Sequence, residues 1–138
     1  MKRQEIPEIH RLEAGEQKVL RISAAERYSM QRVAVKTGER YSISCNEDQR
    51  WVDLLIWASP RGYANALARM VGMPVPNARC FCLCGTYDEQ DEAAFAIGTD
   101  HTIGHVQADA ILSFFANDVR GFEWNNWGSV EVRVTRLK

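Results

Sequence analysis

The chain has 138 residues, enough for one hydrophobic core and too few for a second. Its 46% hydrophobic and 25% charged residues match an ordinary globular domain and exclude a disordered chain. Lys and Arg number 17 against 18 Asp and Glu, a net charge of -1, so it lacks the basic field that a nucleic acid or an anionic membrane requires.

The opening stretch, MKRQEIPEIHRLEAGEQ, begins basic but has no apolar run. No secretory leader is therefore expected. No apolar run anywhere approaches the roughly 20 residues of a membrane span. Synthesis is expected in the cytoplasm, and any export would follow a non-classical route. Residues 1–16 are polar and weakly periodic, and are expected to form an N-terminal arm, or a first irregular strand, ahead of a single domain over 17–138.

From there the period is two. Val19, Leu20 and Ile22 form a short apolar stretch. Val33 and Val35 alternate with Arg32, Ala34 and Lys36, then Thr37-Gly38-Glu39 offers a turn, and Tyr41, Ile43 and Cys45 alternate with Ser42 and Ser44. Two alternating runs around a glycine predict a β-hairpin. Residues 53–57 (Asp-Leu-Leu-Ile-Trp) predict a buried strand, with Trp51 and Trp57 in the core. Tyr63, Leu67 and Met70 recur at helical spacing, with Pro60 before them and Gly72, Pro74 and Pro76 after, which predicts one short inserted helix.

Cys80, Cys82 and Cys84 alternate in a strand candidate that would put all three on one face. Zinc sites favour C-x2-C spacing, so these three and Cys45 are read as buried, reduced thiols. Residues 88–92 (Asp-Glu-Gln-Asp-Glu) predict a solvated acidic loop, and 93–97 a short strand. Residues 110–115 (Ala-Ile-Leu-Ser-Phe-Phe) form the most apolar segment, a central strand. In the last strand Val130, Val132 and Val134 face one way, with Glu131, Arg133 and Thr135 opposite. Seven or eight short strands with one short helix predict an all-β fold, an antiparallel β-sandwich of the jelly-roll kind.

Chemistry concentrates between the last two strands. The stretch 117–129 (Asn-Asp-Val-Arg-Gly-Phe-Glu-Trp-Asn-Asn-Trp-Gly-Ser) gathers the short oxygen-bearing side chains of Asn117, Asp118, Asn125 and Asn126. Calcium takes six to eight oxygens from carboxylates, amides and backbone carbonyls. A loop leaving one strand at Asp118 and re-entering the next at Asn125 can fold such oxygens around one ion, with Gly121 turning the backbone inward. Asn, Asp and Gly also dominate plain turns, and composition alone leaves that alternative open.

This stretch resembles the calcium loop of the PA-IL (LecA-type) family of small bacterial galactose-binding lectins, Asn-Asp-Val-Pro-Gly-x-x-Gly-Asn-Asn-Ser-Gly-Ser. Asn117, Asp118, Val119, Gly121, Asn125, Asn126, Gly128 and Ser129 match it in register. The hairpin candidate is similar to the family's first strands, and Trp51 falls where the family also has a tryptophan. The resemblance implies a galactose-binding-like sandwich that holds calcium through side-chain oxygens of Asp118, Asn125 and Asn126 and the carbonyls of Phe122 and Leu54. Sugar hydroxyls would complete the coordination, with Asp118, Val119 and Asn125 contacting the sugar. Arg120, Trp124 and Trp127 depart from the family's Pro, Gly and Ser. Trp124 would either stack on a sugar or fill its pocket. The family's sugar-contacting His and Gln have no match here; the helix candidate occupies that region.

These readings lead to a calcium-dependent carbohydrate-binding, lectin-like module without catalytic activity. A homo-oligomer is expected, because single sugar sites bind weakly and multivalency restores avidity. The alternative is a protein-interaction sandwich whose sugar site does not work. Catalysis would need a base beside one of the cysteines, or Asp118 and Glu123 disposed as paired carboxylates, and no such constellation is visible.

Overall fold

The computed structural model describes residues 6–138. Twelve strands and one short helix follow in order: β1 (Glu8–His10), β2 (Gln17–Ser23), β3 (Gln31–Val35), β4 (Tyr41–Ser44), β5 (Trp51–Asp53), β6 (Ile56–Ala58), α1 (Ala66–Val71), β7 (Leu83–Tyr87), β8 (Phe95–Ala96), β9 (Asp100–Ile103), β10 (Ala110–Ala116), β11 (Asn126–Trp127) and β12 (Ser129–Arg136). The fold is an all-β sandwich. One sheet runs β1-β3-β10-β7-β8, the other β2-β12-β4-β9, and a small sheet β11-β5-β6 closes one end. Every pairing is antiparallel except β1 with β3.

The core follows from period-two burial. Val130, Val132 and Val134 of β12 turn inward with Leu20 and Ile22 of β2, and meet Val33 and Val35 of β3 and Leu112 and Phe114 of β10. Each such side chain contributes roughly 1.5–3 kcal/mol on burial. β10 is the central strand of its sheet, flanked by β3 and β7, which explains why its sequence is the most apolar.

Four expectations are corrected. The described part of the N-terminal stretch takes the strand alternative and not the arm: β1 runs beside β3, and Leu12, 1% exposed, joins the core, while positions 1–5 lie outside the described residues. β3 and β4 form no hairpin, since β3 pairs with β1 and β10 and β4 with β12 and β9. The turn at Gly38 (φ +86°) instead carries the chain from one layer to the other, with Gly38 N–H donating to the Val106 carbonyl at 2.8 Å. Residues 53–57 are a hairpin tip, reversing at Leu54 (φ +57°), and Leu54, Leu55, Ile56 and Trp57 are exposed; only Trp51 is core.

The inserted helix expected from the spacing of Tyr63, Leu67 and Met70 is present as α1, with Leu67 and Met70 exposed and Ala68 buried. The cysteines do not share a face. Phe81 takes a left-handed φ of +65°, which breaks the alternation: Cys80 joins the main core, whereas Cys82 and Cys84 pack with Phe115 on the outer side of the sheet. All four cysteines are buried and unpaired.

Candidate metal and ligand site

The chain leaves β10 at Asn117, whose buried amide is committed to structure. It accepts from Val75 N–H at 3.0 Å and donates to the Val75 and Arg79 carbonyls at 2.9 and 3.0 Å. Asp118 follows, only 6% exposed. Its Oδ1 accepts from Val119 N–H at 2.8 Å, and its Oδ2 from Asn126 Nδ2 at 3.0 Å. Burial raises the Asp118 carboxyl above the usual carboxylate range, and the neighbouring Asp53 charge adds to the rise.

Gly121, at φ +97°, supplies the turn that brings the loop back. A 3-10 turn at Glu123–Asn125 leads into β11. There Asn126 lies opposite Asp53 of β5, and Leu54 N–H donates to the Asn125 carbonyl at 3.0 Å. Asn126 Nδ2 donates to the Ala24 carbonyl at 3.2 Å as well as to Asp118, which uses both of its protons.

The carbonyl oxygens of the two amides are left over. Asn125 Oδ1 and Asn126 Oδ1 are both buried, and neither has a donor. An unpartnered buried oxygen costs free energy, and a bound cation is one group that removes the cost. The Phe122 carbonyl accepts only a long bond, from Asn125 N–H at 3.4 Å, and the Leu54 carbonyl one from Trp127 Nε1, also 3.4 Å. Each keeps a lone pair for a hard ion. These oxygens are of the kind a hard divalent cation takes.

The loop is braced from behind by Arg120. Its guanidinium grips Asp91 with two bonds of 2.9 and 2.8 Å and donates to the Arg27 carbonyl at 3.1 Å. It also lies 4.9 Å from the Tyr28 ring centre and 4.5 Å from that of Phe115. The acidic stretch 88–92 is thus only partly solvated: Asp91 faces Arg120 and Tyr28, and Glu89 pairs with Arg32 at 2.6 Å. Arg120 holds the Asp91 carboxyl below its ordinary value.

A cleft of about 200 Å³ opens over the loop. Asp53, Asp118 and Asn125 give it a polar floor, and Leu67 and Val71 of α1 with Phe122 give it an apolar wall. Val119 also lines it. Trp124 does not: its indole is 77% exposed and stands outside the cleft, neither plugging nor lining it. Trp127 packs edge-on against Trp57, with ring centres 5.1 Å apart.

Sequence reasoning missed Asp53, Tyr63, Asn65 and Cys80. Asp53 and Asp118 oxygens and Cys80 Sγ lie within 4.8 Å of one another, a group able to hold a metal ion. Tyr63 O–H donates to Asp53 Oδ2. Asn65 reaches Tyr63 at 3.5 Å and caps α1 by accepting from Ala68 N–H at 3.1 Å. The one local signal was a carboxylate, Asp53, heading the apolar run 53–57; Tyr63 and Asn65 are neighbours in sequence, and Cys80 joins them only through the topology, by pairing with Tyr63.

A scan against protein-family models finds no match, and neither does a search of curated proteins. Among solved structures the fold is similar to one described as "EclA N-terminal domain; PllA-like lectin". The TM-score is 0.61 at 18% identity, covering 86% of this chain and 94% of that one. What the two molecules share is the β-sandwich fold.

Proposed function

We propose that this chain is a non-catalytic, calcium-dependent carbohydrate-binding module. The observation that carries the reading is the pair of buried, donorless oxygens, Asn125 Oδ1 and Asn126 Oδ1, beside the Asp118 carboxylate. Calcium would draw on these three side chains and on the Phe122 and Leu54 carbonyls. Sugar hydroxyls would complete its shell from the cleft, hydrogen-bonding to Asp118, Asn125 and the Val119 backbone. The description of the structural neighbour as a lectin supports the same ligand class, and the motif 117–129 adds galactose-type sugars as the first to test.

The apolar wall of Leu67, Val71 and Phe122 suits the C–H face of a sugar ring, a task the sequence had offered to Trp124. Four unpaired thiols suit synthesis in the reducing cytoplasm. Homo-oligomerisation would supply avidity, and light scattering of the full chain reads it directly.

Calcium at a hundred times its dissociation constant should stabilise the fold by about 2.7 kcal/mol. For 138 residues, an unfolding entropy of roughly 0.29 kcal/mol/K converts this to a Tm about 9 °C higher than in EDTA. Asp118→Asn should abolish the difference. A glycan array should light up with calcium and go dark with EDTA. Identical melting curves would refute calcium; a blank array from calcium-loaded protein would favour a protein-interaction module, whose surface the exposed Leu54, Leu55, Ile56 and Trp57 would provide.

A further inference from the structure

We propose that Asp53, Cys80 and Asp118 form a site for a thiophilic divalent ion of the zinc class, adjoining the loop and overlapping it at Asp118 and Asn126. The site shares these two residues with the calcium reading, so the two ions would compete for them, but it does not rest on that reading. Its ligand atoms come from three elements: Asp53 ends β5, Cys80 precedes β7, and Asp118 follows β10. Cys80 Sγ lies 4.0 Å from Asp53 Oδ2, and all three ligand atoms fall within 4.8 Å of one another. Zinc binds sulfur at about 2.3 Å and carboxylate oxygen at about 2.0–2.2 Å, which sets ligand atoms roughly 3.5 Å apart in a tetrahedron. Closing the present cluster onto an ion takes shifts of about 1 Å.

A second, independent observation points to the same place. Asn126 is only 5% exposed, and its Oδ1 has no donor. Its Nδ2 is held on Asp118 Oδ2 at 3.0 Å and its backbone lies opposite Asp53, so the amide is seated against two of the three ligands. The opposite amide orientation would set oxygen against carboxylate, so the free atom is the oxygen. Asn126 Oδ1 is thus available as a fourth ligand.

The outer shell is in place as well. Tyr63 O–H holds Asp53 Oδ2, and Asn65 holds Tyr63 in turn, the kind of support that orients metal ligands. Access is available from two sides of α1. The cleft over the loop reaches Asp53 and Asp118, and another of about 420 Å³ reaches Cys80. Calcium takes oxygen and leaves a thiol unused, whereas zinc and cadmium take thiolate readily. Binding forms the metal–sulfur bond as the Cys80 Sγ–H bond breaks, and the proton passes to solvent.

Cadmium is the probe, added to the full-length, reduced, metal-free chain. A sulfur-to-cadmium charge-transfer band should rise in the ultraviolet and saturate at one equivalent, and the cadmium-113 resonance should fall where a single sulfur with oxygen partners places it. Cys80→Ser should remove the band, Cys82→Ser should keep it, and Asp53→Asn should weaken cadmium binding tenfold or more. A wild-type chain without the band overturns the proposal, as does a band that survives Cys80→Ser. Should Cys80→Ser fail to fold, the resonance of the unaltered chain and the Asp53→Asn titration decide. Calcium calorimetry on the same proteins is scored separately, so either site can fail while the other stands.

Discussion

Replacing Arg120 by methionine keeps the apolar contact with the Tyr28 and Phe115 rings but removes the fork that grips Asp91. Two charge-assisted bonds of 2.9 and 2.8 Å disappear, together with the 3.1 Å bond to the Arg27 carbonyl. The side chains of Arg120 and Asp91 are 17% and 29% exposed, so the pair lies between a surface bridge and a buried one. Surface pairs are worth about 0–1 kcal/mol, and breaking a buried pair costs about 3–5. Asp91 keeps its bond from Tyr28 O–H at 2.7 Å and some water, which places the expected loss at about 2–3 kcal/mol. At roughly 0.29 kcal/mol/K for 138 residues, Tm should fall by about 7–10 °C. Urea denaturation of Arg120→Met, Asp91→Asn and the double variant isolates the pair, with an expected coupling of about 1.5 kcal/mol or more. Since Arg120 holds the Asp91 carboxyl below its ordinary 3.8, this stability is present above that value and is lost as pH falls below it; Arg120→Met should show a flatter acid limb. Additive single effects, or a Tm within 2 °C of wild type (about 0.6 kcal/mol), would refute the reasoning.

Glu39 should dominate a second acid transition. Its hydrogen bonds from Arg11, aided by a Lys36 N–H, lower its carboxyl from 4.5 to about 2, so its contribution is complete above 4.5 and disappears as pH falls towards 2. The shift corresponds to about 3.4 kcal/mol at most. Arg11 is 39% exposed, and screening reduces the expected contribution to about 1–2 kcal/mol, which Glu39→Gln should remove at neutral pH but not at pH 2. Gly62→Ala should destabilise by about 2–3 kcal/mol in chemical denaturation. Its φ is +79°, and a Cβ there would crowd the Cys80 carbonyl and stand 2.6 Å from Cys82 N.

Some elements were legible because burial and side-chain period agree. β12 alternates valine with polar residues along one buried face, and β10 is apolar on both faces because strands flank it, the main core covers one face and a second apolar cluster around Phe115 covers the other. Partners were not legible. The alternation of 31–45 identifies strands but says nothing of which sheet each joins, and the Gly38 turn serves a crossover as well as a hairpin. The run 53–57 reads as buried because its residues are apolar, whereas the left-handed Leu54 turns it out into solvent. Phe81, a bulky residue at positive φ, gives no sequence signal, yet it alone separates Cys80 from Cys82 and Cys84. At the site, Asp118, Asn125 and Asn126 were legible because nine consecutive residues contain them. Asp53, Tyr63 and Cys80 reach the same spot through strand pairing that only the folded chain reveals.

β11 is two residues long, and it ties Asn126 to Asp53 and Trp127 to Val52. Loop and hairpin are therefore tied at one joint, with the greasy tip at Leu55 on one side and the oxygens proposed to hold an ion on the other. If that ion binds, linkage makes the joint reciprocal: anything that grips the tip and prefers one tilt of it would alter ion affinity by some factor, and the ion would alter that grip by the same factor.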